Sequence, residues 1–194
     1  MKGSQVEGTR IGICARDATI QDSLLNTTAH GCRSDEGIGK GQVMERCAGS
    51  GGSHAGRGGY GGLEDKRGSI ETCKARYNPT YVYGDEAAFE GSGGASGAKG
   101  KRLGGAGGGI IKLNVLGTTK VYNSKLLANG MNGIQSSVIG SGGGAGGTIH
   151  MLTTNLKGYG TVEAKGGDGS TGGGGGGAGG RLIVHFLKSF SKSA

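Results

Sequence analysis

Apolar residues in this chain come in short bursts separated by glycine. Between Gly142 and Gly169, Ile149, Met151, Leu156, Val162 and Ala164 fall in two clusters with glycines only between and around them. Near the far end, Leu182, Val184 and Phe186 alternate with Ile183 and His185. A period of two is the signature of a strand with one buried face. The runs "GGIIKLNVLG" and "GGRLIVHF" read the same way. The pattern predicts strand, turn, strand, turn, and no amphipathic helix.

The bursts recur. "GGAGGGIIKLNVLG" starts at Gly104, "GGAGGTIHMLTTNLKG" at Gly143 and "GGAGGRLIVHFLKS" at Gly176, anchored on Ala106, Ala145 and Ala178. A second anchor, Ala128 in "LLANGMNG" and Ala164 in "VEAKGGDG", closes each complete unit, and Ala29-His30-Gly31 is an earlier copy. The unit reads as glycine-rich arch, strand, short turn, second strand and Ala-x-Gly corner. Two short strands cannot bury a face alone, so units must stack and share a core. The expected fold is all-β, a parallel β-helix or β-solenoid, as a single domain over residues 1–194. Its parts are a cysteine-containing half, 1–91, and a glycine-rich basic half, 92–194.

Composition narrows the arches. Glycine supplies 49 of 194 residues and proline one, so the regular glycine and abundant proline of collagen are both missing. Low-complexity disorder is opposed by the aliphatic runs, which would aggregate if left unfolded. The arches are either loose loops or extended polyglycine-II-like segments, stacked and hydrogen-bonded where only residues without side chains fit. Their recurrence at one phase of the repeat favours order.

Charge changes the picture by its distribution. The net charge is +8; Met1 to Gly91 holds 11 Lys/Arg against 12 Asp/Glu, whereas Ser92 to Ala194 holds 11 against two, Glu163 and Asp168. Solvent-facing lysines that keep a repeat protein soluble are one reading. The other is polyanion contact, for which Lys99, Lys101, Arg102, Lys112, Lys120 and Lys125 are the candidates. Cys14, Cys32, Cys47 and Cys73 show no C-x-x-C spacing, which speaks against zinc; their even number fits two disulfides in any of three pairings, with four buried free thiols the alternative. Asn26-Thr27-Thr28 is a glycosylation sequon, so Asn26 is a modification candidate and an oxidising, extracellular or cell-surface setting is expected. After Met1 there is no apolar leader, and no run is long enough to cross a bilayer. The expectation is therefore a processed or excised piece of a secreted protein, or a cytosolic chain with an accidental sequon.

Catalytic chemistry finds little footing. A two-carboxylate glycosidase would have to use the adjacent pairs Asp35/Glu36, Glu64/Asp65 or Asp85/Glu86, which point to opposite faces if extended. Glu163 and Asp168 are five apart and on different sides of a corner. His30, His54, His150 and His185 lack metal-ligand spacing, and His150 and His185 read as exposed strand positions. No phosphate-binding loop or calcium nonapeptide occurs. One "RGGYGG" at Arg57 is weak support for nucleic-acid binding. No cofactor is expected.

Taken in order, "SHAGRGGYGG" (Ser53 to Gly62), "VYGDEAAFEGSGG" (Val82 to Gly94), "GGAGGGIIKL", "GSGGGAGGTIHM", "LKGYGTVEAKGGDG" and "GGGGGGAGGRLIVHF" resemble a known series. It is the glycine-rich repeat region of large cell-surface proteins of plants and protists, whose ectodomains are similar to pectin-lyase-like parallel β-helices. "AHGC" at Ala29 to Cys32 resembles the corner that opens that region. The likeness runs from about Arg10 to Phe186. One departure is His54-Ala55-Gly56-Arg57-Gly58-Gly59, where the second position is usually glycine. The resemblance implies an extracellular structural or adhesive ectodomain without established catalytic residues.

The leading expectation is a non-catalytic structural protein, a rigid spacer or filament building block. Solenoids need polar caps, yet "RLIVHFLKSF" and "RIGICARDATI" are apolar end strands, which favours head-to-tail self-association or flanking domains of a longer chain. A glycan-binding module meeting acidic glycans is the alternative, and a polysaccharide-acting β-helix enzyme the third.

Overall fold

The computed structural model describes residues 1–43, 47–62, 89–97, 104–134 and 139–186. Among them there is no helix. Seven strands form one sheet: β1 (Gln5–Glu7), β2 (Arg10–Ala15), β3 (Ala18–Gln21), β4 (Leu24–Asn26), β5 (Ile110–Leu127), β6 (Thr148–Glu163) and β7 (Arg181–Phe186). Every pairing is parallel, as the repeat reading requires. The sheet is open, with the order β1-β4-β5-β6-β7 and with β2 and β3 also on β5.

The register explains the shape. β2, β3 and β4 lie one after another along a single side of β5, opposite Ile110–Val115, Thr119–Tyr122 and Lys125–Leu127. On its other side β5 pairs with β6, and the ladder shifts between Val115 and Thr118 and again between Tyr122 and Ser124. Each long strand is thus three short segments in series. β7 covers only Thr148–Thr153 of β6, while β1 covers β4 and Lys2 bridges to Gln21.

Parallel pairing in register puts like on like. Ile11, Ile111 and Ile149 form one buried row, Leu113 and Met151 a second, Ile20 and Val121 a third, and Leu25 and Leu126 a fourth. All nine belong to one apolar cluster, flanked by half-buried Val6, Ile13, Leu156 and Val162. Burying each such side chain contributes about 1.5–3 kcal/mol.

Two features depart from the expected unit. The first is that the strand is not broken in two: β5 runs unbroken for 18 residues and absorbs its turns as local irregularities. Gly3, Asp22 and Asn123 take φ of 60°, 49° and 46°, the left-handed region, at the breaks between successive parallel segments. Each is followed by serine, and the serines form a ladder. The Ser4 amide donates to Ser23 Oγ over 3.2 Å and the Ser23 amide to Ser124 Oγ over 3.1 Å. Ser23 and Ser124 donate in turn to the carbonyls of Gln21 and Tyr122. On β6, Gly160 stands opposite Ser124 and the side-chain ladder ends there.

The second departure is at β7. Leu182 and Val184 continue the rows of Ile149 and Met151, yet they are 55 % and 40 % exposed. The alternation is correct, but no described residue lies on the outer side of β7 to cover them.

Candidate functional site

The described glycine segments are held by backbone hydrogen bonds and close backbone approach. String 104–109 leads directly into β5, string 140–147 into β6 and string 174–180 into β7; residues 128–133 and 164–170 leave the ends of β5 and β6.

String 140–147 shows how they pack. The amides of Gly142 and Ala145 donate to Ala95 and Ser92, those of Gly143 and Gly146 to Gly175 and Ala178, and those of Gly144 and Gly147 to Met131 and Ala128. The direction of donation repeats every third residue. The carbonyls follow the same period: Gly142 and Ala145 accept from Gly105 and Gly108, Gly143 from Gly52, Gly144 from Gly167 and Gly147 from Arg181. One string is therefore tied to segments on all sides, three as donor and the others as acceptor. These bonds are 2.7–2.9 Å long.

Close approach is what excludes side chains. A Cβ built on Gly143 would overlap the carbonyl of Gly167, and one on Gly144 the carbonyl of Ala106. The obstacle in each case is backbone, which cannot swing aside as a flexible side chain can. Ala145 is fully buried with its methyl accommodated.

Where glycine strings end, side chains replace backbone partners. His54, fully buried, places Nδ1 2.7 Å from the Gly146 carbonyl oxygen, which is three residues beyond Gly143, the acceptor from Gly52. A carbonyl can only accept, so Nδ1 carries the proton. Burial pushes the His54 pKa below its ordinary value, against the raising effect of the bond to Gly146. Asp35, at φ 61°, accepts from the Ser96 amide (3.0 Å) and from the Ser96 and Ser34 hydroxyls (2.5 and 3.0 Å). Ser34 Oγ accepts from the Gly104 amide over 2.7 Å. Ser92 Oγ accepts from Gly39 and Ser170 Oγ from Ser141. Sequence reasoning weighed His54 only as a metal ligand and passed over these serines. The signal available was a small polar residue set inside or beside each glycine run.

The expected site residues are scattered. Cys47 is disulfide-bonded, whereas Cys14 and Cys32 carry free thiols, which corrects the expectation of two disulfides. The reason is distance: Cys14 stands opposite Asn114, and the Cys32 carbonyl accepts from the Gly107 amide. Seven extended residues, roughly 22–24 Å at about 3.1–3.4 Å each, separate those positions along the chain direction, against the roughly 7 Å limit for a disulfide. Burial, then Glu90 and Glu36, raise the Cys32 pKa. Cys73, Lys99, Lys101, Arg102 and the pairs Glu64/Asp65 and Asp85/Glu86 lie outside the described residues.

Asn26 ends β4, its amide nitrogen donating to Glu7 Oε1 (3.1 Å) and its oxygen accepting from the Thr28 amide (3.1 Å). Glu7 also meets His30 Nε2 at 3.1 Å. Lys112, Lys120 and Lys125 are exposed, but each sits on a different one of the three segments of β5. They do not build one cationic face. His150 is buried at 6 % exposure, not an exposed strand position, and its ring meets His185 edge-on at 5.3 Å. Glu163 is held by Lys165 (2.9 Å) and Asn129, and these hydrogen bonds lower its pKa. Among the described residues no group of three metal-ligating side chains converges, and no helix is long and apolar enough to cross a membrane.

No family model matches this chain, and neither a curated protein nor a solved structure matches it.

Proposed function

We propose that the chain is a non-catalytic structural element of an extracellular or cell-surface protein, stiffened by two fused devices. One is a β-solenoid whose levels are β2–β4, β5 and β6, each level a coil of three sides around the shared apolar rows. The other is a bundle of three-fold polyglycine helices running out of those coils. Bonds that reach three neighbours in rotation, with a period of three, are the arrangement a helix of three residues per turn produces when packed among its own kind.

The observation that carries this reading is the alternation of donors along Gly142–Gly147. Lateral bonding at every residue removes the freedom that makes glycine linkers flexible. A disulfide at Cys47 fits an oxidising compartment. Function then lies in shape and stiffness, as a rigid spacer or filament unit. The glycan-binding alternative gains no support from Lys112, Lys120 and Lys125, which are spread around β5.

Native-state amide hydrogen exchange tests the reading. Gly142 to Gly147, Gly175 and Gly177 should exchange as slowly as the amides of β5. Exchange at the rate of an unstructured peptide there would remove the bundle and the stiffness argument with it.

A further inference from the structure

We propose that copies of this chain stack head to tail, the end bearing β7 completing the coil begun by residues 1–7 of the next copy. This rests on the coiled reading above. At the β7 end, the first side of the stack rises one strand higher than the other two. β7 covers Thr148–Thr153, whereas no described residue pairs with Asn155–Glu163 on their outer side. At the opposite end the step is reversed: Lys2 and β1 lie below β3 and β4, and no described residue lies below β2. The two incomplete coils are complementary. Placing one copy on another brings β7 under the next β2, and Asn155–Glu163 under the next Lys2–Glu7, each one strand spacing apart.

The rows match across that junction. Leu182 falls under Ile11 and Val184 under Ile13, which covers the two apolar side chains left exposed on β7. Val162 falls under Val6, both half-buried members of the core margin. Lys2 lies in the column of Gln21, Tyr122 and Tyr159, so it is set over the 69 % exposed Tyr159 ring, a cation–π arrangement. The amide of Gly160 is placed beneath Ser4 as Ser4 is beneath Ser23, so the serine ladder resumes in the next copy. Each copy advances the stack by four strand spacings, about 19 Å. Two like-charged pairs, Arg10 over Arg181 and Glu7 over Glu163, fall on the outward side and oppose association at low salt.

The test uses the full chain. Wild-type protein concentrated at about 0.15 M salt should form filaments with an axial repeat near 19 Å by electron microscopy or fibre diffraction. Assembly should weaken when salt is lowered to about 0.01 M, where the Debye length reaches roughly 30 Å. Leu182→Lys should leave the chain monomeric. In His185→Cys, residue 185 is brought under Cys14 of the next copy, about 4.8 Å away, and mild oxidation with diamide should give a ladder of linked chains. Adding Cys14→Ser should abolish the ladder.

A chain that stays monomeric at every salt concentration overturns the proposal. Closed dimers linked through residue 185 alone, a different repeat, or assembly that salt weakens overturn it too. Monomers with protected glycine amides reject only the stacking, whereas loss of protection rejects the coiled reading beneath it.

Discussion

His54 and Gly146 are 92 residues apart in sequence, yet the imidazole Nδ1 donates to the Gly146 carbonyl oxygen over 2.7 Å inside the bundle. The ring does the work of a backbone amide where string 51–54 stops following string 140–147. A side chain with a long reach was needed because the chain turns away at Ala55, an exposed position.

Burial of that ring, which outweighs the opposing effect of the bond, makes stability sensitive to acid. The His54 pKa is lowered in the fold, so its contribution is complete above the unfolded value of about 6.5 and is lost as pH falls toward the folded value. The slope is at most about 1.4 kcal/mol per pH unit for one group. Denaturant midpoints measured from pH 7 to 5 should fall more steeply for the wild type than for His54→Gln, which cannot titrate. Parallel slopes would show that His54 is not the titrating group.

Packing between backbones makes the bundle intolerant of a single methyl. Gly144→Ala sets a Cβ against the Ala106 carbonyl and should cost about 1–3 kcal/mol or more. The converse change one residue on, Ala145→Gly, removes a buried methyl without a clash and should cost about 1 kcal/mol. Equal thermal stability of the two variants would contradict the close approach.

The serine ladder is buried at Ser23 and Ser124, so breaking it should be costly. Ser124→Ala removes the acceptor of the Ser23 amide, a buried donor with no other partner in that direction, at a cost of about 1–3 kcal/mol. Ser124→Thr keeps the hydroxyl and should restore part of it. Chemical denaturation of the two variants beside the wild type decides the matter.

Thiol chemistry separates the two free cysteines. Cys14 is exposed, while burial, Glu90 and Glu36 hold Cys32 in its neutral form. Iodoacetamide labelling of the native protein, read by peptide mass, should modify Cys14 first and reach Cys32 only as pH is raised. Faster reaction at Cys32 would refute the described burial.

Much of the architecture was written locally. Aliphatic bursts after each Gly-Ala-Gly-Gly anchor place β5, β6 and β7, because alternation along a strand is fixed by the pleat and is read over a few residues. The closing anchors also hold: β5 ends one residue before Ala128 and β6 one residue before Ala164. Lateral order in the glycine arches was legible from their constant phase.

What the sequence by itself determined, then, is the repeat: where strands start, where bulk is forbidden, and that neighbouring copies must share a core. Which string lies beside which was decided only by the tertiary structure. Ser23 meets Ser124 across 101 residues and His54 meets Gly146 across 92, and no local period carries that information. The same holds for His150, which alternation places on the outer face and the surrounding fold buries, and for Cys14 and Cys32, which lie too far apart along the strand direction to pair. Local sterics set the conformation of each segment, whereas partner choice comes from filling space and satisfying backbone bonds over the whole stack at once.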